Sequence, residues 1–109
     1  MTSLIDNHYD YFSNIEKYAI VSILSQIMKA DGIIHPKEEE YMNRIYSELG
    51  ITINNIEDIS NIDDIQAKQI ISGMTDECKA QARTLFVGMA EADGIIHPKE
   101  TEIINQLFV

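Results

Sequence analysis

Two carboxylates seven positions apart occur twice in this chain, as Asp31 with Glu38 and as Asp93 with Glu100. They belong to a repeated motif. ADGIIHPKEEE at 30–40 returns as ADGIIHPKETE at 92–102, and only Glu39 differs, facing Thr101. Carboxylate oxygens are hard donors that suit Ca²⁺ or Mg²⁺, whereas thiolates and imidazoles suit softer ions. Asp31, Glu38, Asp93 and Glu100 are therefore the candidate ligands of a divalent cation, with His35 and His97 as additional candidates. The spacing matches the second half of an EF-hand loop, Asp-Gly-x-Ile followed by a closing Glu. The first half fails, because the oxygen positions fall on Ile27 and Lys29 in one copy and on Met89 and Glu91 in the other, so the motif is not an EF-hand.

A purely structural reading explains part of the motif. Gly32 and Gly94 stand where a helix would stop, and Pro36 and Pro98 where the next would start. His35 or His97 takes the N-cap, and Glu38 or Glu100 at the third helical position closes a capping box. Three features fall outside that reading. Asp31 and Asp93 follow helix C-termini, where the macrodipole disfavours an anion by a few tenths of a kcal/mol. Asp31 continues the apolar stripe of Leu24 and Ile27, as Asp93 continues Phe86 and Met89. Glu38 and Glu100 lie one turn before Met42 and Ile104 on the following stripes. Anions on inward stripes must be neutralised, paired or bound to metal. Lys37 and Lys99, one residue from the glutamates, point elsewhere on a helix.

The elements that position these residues follow from the same repeat. Its offset is 62 residues, Asp31 to Asp93, and it superposes 1–47 on 63–109 with 48–62 as a linker. Ser13 then faces Thr75, Lys17 faces Lys79, and Ile27 faces Met89. Ile20, Ile23, Leu24, Ile27 and Met28 are at helical spacing, as are Ala82, Leu85, Phe86, Met89 and Ala90. Met42, Ile45, Tyr46 and Leu49 continue the pattern after the first motif, and Ile104, Leu107 and Phe108 after the second. Ser13-x-x-Glu16 is a capping box, Thr75 with Asp76 and Glu77 is a helix start, and Gly50 is a helix stop. These signals predict an all-α single domain of six to seven helices in two pseudo-symmetric halves. The 16–30 and 78–92 helices form the central pair, and shorter helices cover 3–12 and 63–73. ITINNI in the linker alternates like a strand, but its asparagines favour a loop or a short helical turn.

Composition narrows the function. The 109-residue chain is 45% hydrophobic, enough for a core without staples, and its net charge is −10. That field repels phosphate backbones and anionic lipid, which leaves cations and basic proteins as partners and no nucleic acid. Cys78 is the one cysteine, so an internal disulfide and a cysteine zinc cluster are excluded. It stands near a helix start with no base beside it in sequence. MTSLIDNHYDYF carries no signal-like leader and no apolar run reaches membrane-spanning length, so a soluble cytoplasmic protein is expected, without direct membrane insertion. No phosphate loop, nucleophile elbow or HExxH is present. Glu40 and Arg44 are spaced as a surface pair. Tyr9, Tyr11, Phe12, Tyr18, Tyr41 and Tyr46 crowd the first half, as helix packing or as a docking patch.

With its glycine, aliphatic pair and helix-opening glutamate, the duplicated ADGIIHPKE motif resembles the signature of TerB-like domains, the tellurite-resistance TerB family. It is also similar to the N-terminal domain of DjlA-type co-chaperones. The resemblance covers nearly the whole chain. It implies a non-enzymatic, bacterial, cytoplasmic stress-response module of helical fold with a pseudo-two-fold. It also implies a divalent cation held by the acidic positions, here Asp31, Glu38, Asp93 and Glu100, and protein partners that include membrane-associated stress-response proteins. The family carries Ser, Thr or an acidic residue where His35 and His97 stand, and histidine is the poorer N-cap. Two other functions compete with this one. One is a plain helical adaptor whose carboxylates only fix the turns, and the other is a carboxylate metallohydrolase, which needs an open cleft and a positioned base.

Overall fold

A computed structural model describes residues 12–30, 32, 35–92, 94 and 98–107. Six α-helices follow in order: α1 (Asn14–Lys29), α2 (Pro36–Leu49), α3 (Ile56–Ser60), α4 (Asp64–Ser72), α5 (Asp76–Ala90) and α6 (Pro98–Leu107), with a 3-10 turn at Ile53–Asn55 before α3. No strand occurs among the described residues. The linker thus folds as a short helical turn and a short helix. The helix expected over 63–73 is α4, while the one expected over 3–12 lies outside the described residues except for Phe12.

Capping sets where the long helices begin. Ser13 Oγ accepts from Glu16 N at 3.3 Å, and Ser13 N donates back to Glu16 Oε1 at 2.8 Å. Thr75 Oγ accepts from Cys78 N at 3.2 Å, starting α5 in the same way. Asp63 and Gln66 form the reciprocal pair that opens α4. Each box satisfies amide groups that have no partner within the helix.

Packing follows the apolar stripes. Ala19, Ile20, Ile23, Leu24 and Ile27 of α1 are fully buried, as are Ala82, Phe86 and Met89 of α5. With Met42, Ile45 and Leu49 of α2, Ala67 and Ile71 of α4, and Ile104 and Leu107 of α6, they form one core cluster. Helix α1 is the hub and touches all five other helices. The expected central pair is present as α1 against α5, but α1 packs more extensively on α4. The reason is local: Val21 is buried beside Ile20 and Leu24, so the apolar arc of α1 is too wide for one partner.

The turns around the motif behave as their residues require. Gly32 has φ +82° and Gly94 has φ +84°, the left-handed region where glycine carries no steric penalty. Pro36 and Pro98 are the first residues of α2 and α6. Gly50 (φ 73°) ends α2, and the Ile51 N–H reaches back to Tyr46 O at 2.8 Å, a Schellman closure.

Candidate metal centre

Each copy of the motif places a glutamate at the third position of a helix that begins with proline. His35 is the N-cap of α2, in extended conformation (φ −87°, ψ 141°), and its carbonyl accepts from Glu38 N at 3.0 Å and Glu39 N at 3.1 Å. The backbone N–H of His35 donates to Glu38 Oε1 at 3.4 Å, a long bond. Folding back to make that bond also turns the Glu38 side chain inward, one turn before Met42.

Both glutamates are interior groups. Glu38 and Glu100 are each 0% exposed, and they are the only charged residues in the core among those described. Their neighbours in sequence, Lys37, Glu39, Lys99 and Thr101, are exposed. The cap accounts for one oxygen of Glu38. The other, Oε2, is buried and accepts no hydrogen bond. Such a group costs roughly 1–3 kcal/mol, and more when charged, unless something supplies a positive partner. The α2 N-terminus supplies part of it through the helix dipole. A buried carboxylate oxygen without a donor is also what a hard cation ligand looks like, so Glu38 fits the group that the motif implies.

The positions of the other candidates differ. Glu100 opens α6 as Glu38 opens α2, and His35 is half-buried at the turn. Asp31, Asp93 and His97 lie outside the described residues, so the described part brings Glu38 and Glu100 inside without placing the aspartates against them. Among the described residues no cluster of three or more His, Cys, Asp or Glu forms.

Two other features were not legible as functional in the sequence. Tyr41, one turn into α2, donates its hydroxyl to Leu85 O of α5 at 2.9 Å, and the Arg44 guanidinium lies 5.1 Å from its ring centroid. Gly88 makes this seat possible, since a Cβ there would overlap the Tyr41 hydroxyl and come within 2.8 Å of Cζ. A lone glycine inside a helical pattern was the available signal. The second feature is Gln26 of α1, whose Nε2 is buried and donates to nothing. It interrupts the apolar run between Ile23 and Ile27, which is the only trace it leaves in sequence. The remaining tyrosines divide: Tyr18 Oη accepts from Asn55 Nδ2 at 3.1 Å, Tyr46 packs against the core, and Tyr9 and Tyr11 lie outside the described residues.

All-α packing around an α1 hub, with glycine turns leading into proline-started helices and a buried glutamate in each, defines a small helical module. The family model described as Tellurite resistance protein TerB matches residues 1–61, more than half of the chain, and the chain belongs to that family. The likeness to the DjlA-type domain rests on the motif alone. No curated protein and no solved structure matches the chain. No helix among the described residues is long and apolar enough to cross a membrane.

Proposed function

We propose that this chain is a non-enzymatic, cation-responsive interaction module of the bacterial cytoplasm, acting in a tellurite-resistance-like stress response. Asp31, Glu38, Asp93 and Glu100 bind a divalent cation, Ca²⁺ or Mg²⁺, with His35 and His97 as additional candidate ligands, and the bound ion fixes the two turns against each other. The observation that carries this reading is the fully buried Glu38 with Oε2 unpartnered inside a motif written twice. Membership of the TerB family supports the helical-module part. The identical spacing in the two copies supports a common role for both carboxylate pairs, and the internal duplication is part of the same proposal. A cation that binds only the folded state raises Tm by mass action. Ca²⁺ added to chelator-treated protein is therefore expected to raise Tm, and replacing Asp31 and Asp93 together by Asn is expected to abolish that rise while the helical signal is kept. An unchanged Tm up to millimolar Ca²⁺ and Mg²⁺ refutes the cation reading.

One observation favours a second reading. The His35 N–H to Glu38 Oε1 bond is a cap, and a plain helical adaptor needs no more than caps at these turns. On that reading both glutamates are structural, and their removal destabilises the fold whether or not a cation is present.

A further inference from the structure

Helix α1 and the segment 53–62 share a seam. At one end Asn55 Nδ2 donates to Tyr18 Oη at 3.1 Å, which ties the 3-10 turn to the first turns of α1. Further along, Ser22, Ser25 and Gln26 of α1 face Ile59, Ser60 and Ile62 across an open groove of about 250 Å³, with Lys29 and Asp64 also on its walls. Ile15, Tyr18, Ser22 and Gln26 follow one another at helical spacing, so the seam runs from Ile15 to Lys29, a length of about 20 Å at 1.5 Å per residue.

Three properties of this seam point to a ligand. First, the elements that form it expose aliphatic side chains beside the groove's polar lining. Ile53 is 85% exposed, Ile56 42% and Ile15 49%, three of the four exposed large hydrophobics among the described residues. Second, the groove contains the Gln26 amide whose Nε2 is buried without an acceptor. A peptide carbonyl in the groove meets it once the Gln26 amide turns outward. Third, the 48–64 side of the surface is acidic, with Lys29 of α1 the one cation lining the groove. Between Arg44 and Lys68 the chain has no Lys or Arg, while Glu48, Glu57, Asp58, Asp63 and Asp64 are all exposed.

We propose that the α1–α3 seam docks a basic amphipathic peptide segment of a protein partner, with aliphatic side chains on Ile15, Ile53 and Ile56 and Lys or Arg side chains against the acidic run 48–64. The proposal deepens the interaction-module part of the reading above and does not depend on the cation. Charge decides among the occupants. A second copy of the chain would bring the same acidic run against itself, and an anionic lipid surface would be repelled. A basic partner gains from both charge and apolar burial. Electrostatic complementarity sets register and association rate, and the isoleucines supply the short-range anchor.

The test uses three synthetic fourteen-residue peptides as probes: an amphipathic helix of Lys and Leu, the same pattern in Glu and Leu, and a Lys/Ser peptide lacking aliphatic anchors. Calorimetric titration is expected to show binding of the Lys/Leu peptide to the intact chain and none of the Glu/Leu peptide. The Lys/Ser peptide is expected to bind at least tenfold more weakly. Ile53→Ser with Ile56→Ser, both surface changes, is expected to weaken the Lys/Leu peptide about tenfold, the effect of exposing two partly covered aliphatic side chains. Amide shifts on Lys/Leu binding should fall in 15–29 and 53–64. The Lys/Leu peptide should still bind the parent chain in EDTA, which separates this surface from the cation site. Equal affinity of parent and Ile53/Ile56 variant, or shifts centred outside those segments, overturns the proposal. A dimer in sedimentation that the isoleucine changes dissolve also overturns it, by naming a second copy as the occupant.

Discussion

Replacing Glu38 by Met separates a cation ligand from a structural cap. Methionine is unbranched and close to glutamate in length, so it fills the same interior space without a carboxylate. In cation-free buffer the change removes the long His35 N–H to Glu38 Oε1 bond, worth about 0.5 kcal/mol at 3.4 Å. It also removes the buried, unpartnered Oε2, whose burial costs roughly 1–3 kcal/mol. The balance is a gain of about 1 kcal/mol, or about 4 °C in Tm for a domain of this size. Saturating Ca²⁺ reverses the order. At a hundred times Kd the parent gains about 2.7 kcal/mol by mass action, whereas the variant has lost a ligand and gains little. Thermal melts of both proteins in EDTA and in millimolar Ca²⁺ check this, with circular dichroism as the readout. The variant is expected to melt higher in EDTA and lower in Ca²⁺. A variant that melts lower in both conditions by the same amount refutes the ligand argument and leaves Glu38 as a cap.

Other expectations follow from single contacts. Gly32→Val should destabilise by about 1–2 kcal/mol although a Cβ there meets nothing within 4 Å, because the cost is the positive φ alone; Gly32→Asn should cost clearly less, and equal melting of the two checks against this. Gly88→Ala should destabilise by about 1 kcal/mol despite the better helix propensity of alanine, because Tyr41 must leave Leu85 O; in a Tyr41→Phe background, where that bond and the closest overlap are already gone, the penalty should fall clearly, leaving only the approach of the ring carbon. Ser13→Ala should cost about 1 kcal/mol by opening the α1 capping box, read by denaturant midpoint at unchanged m-value.

What the sequence revealed and withheld has physical causes. The helix ends were legible because glycine, proline and capping residues act locally. Ser13, Thr75, Gly32 and Pro36 each do at short range what their chemistry dictates. The inward placement of Glu38 was legible too, since a helix fixes which residues share a stripe. The choice of partner for each stripe was not. Periodicity shows that α1 has an apolar face and not that α4 covers more of it than α5 does, because that depends on arc width and on non-local packing. Gly88 and Gln26 stayed hidden for a related reason. A glycine within a helix acquires meaning only when Tyr41 arrives from another element, and an amide becomes buried only when other elements pack around it. The relation of Asp31 and Asp93 to the glutamates is a question of tertiary geometry of the same kind.

Crystals of the chain grown with Mn²⁺, with anomalous scattering recorded at the manganese edge, test the central claim most directly. A peak is expected at coordination distance from Glu38 Oε2, about 2.0–2.6 Å, with an Asp31 or Asp93 oxygen also in its coordination shell. Density showing Glu38 Oε2 hydrogen-bonded to protein or water, with Asp31 and Asp93 apart from it and no anomalous peak near either motif, would contradict it.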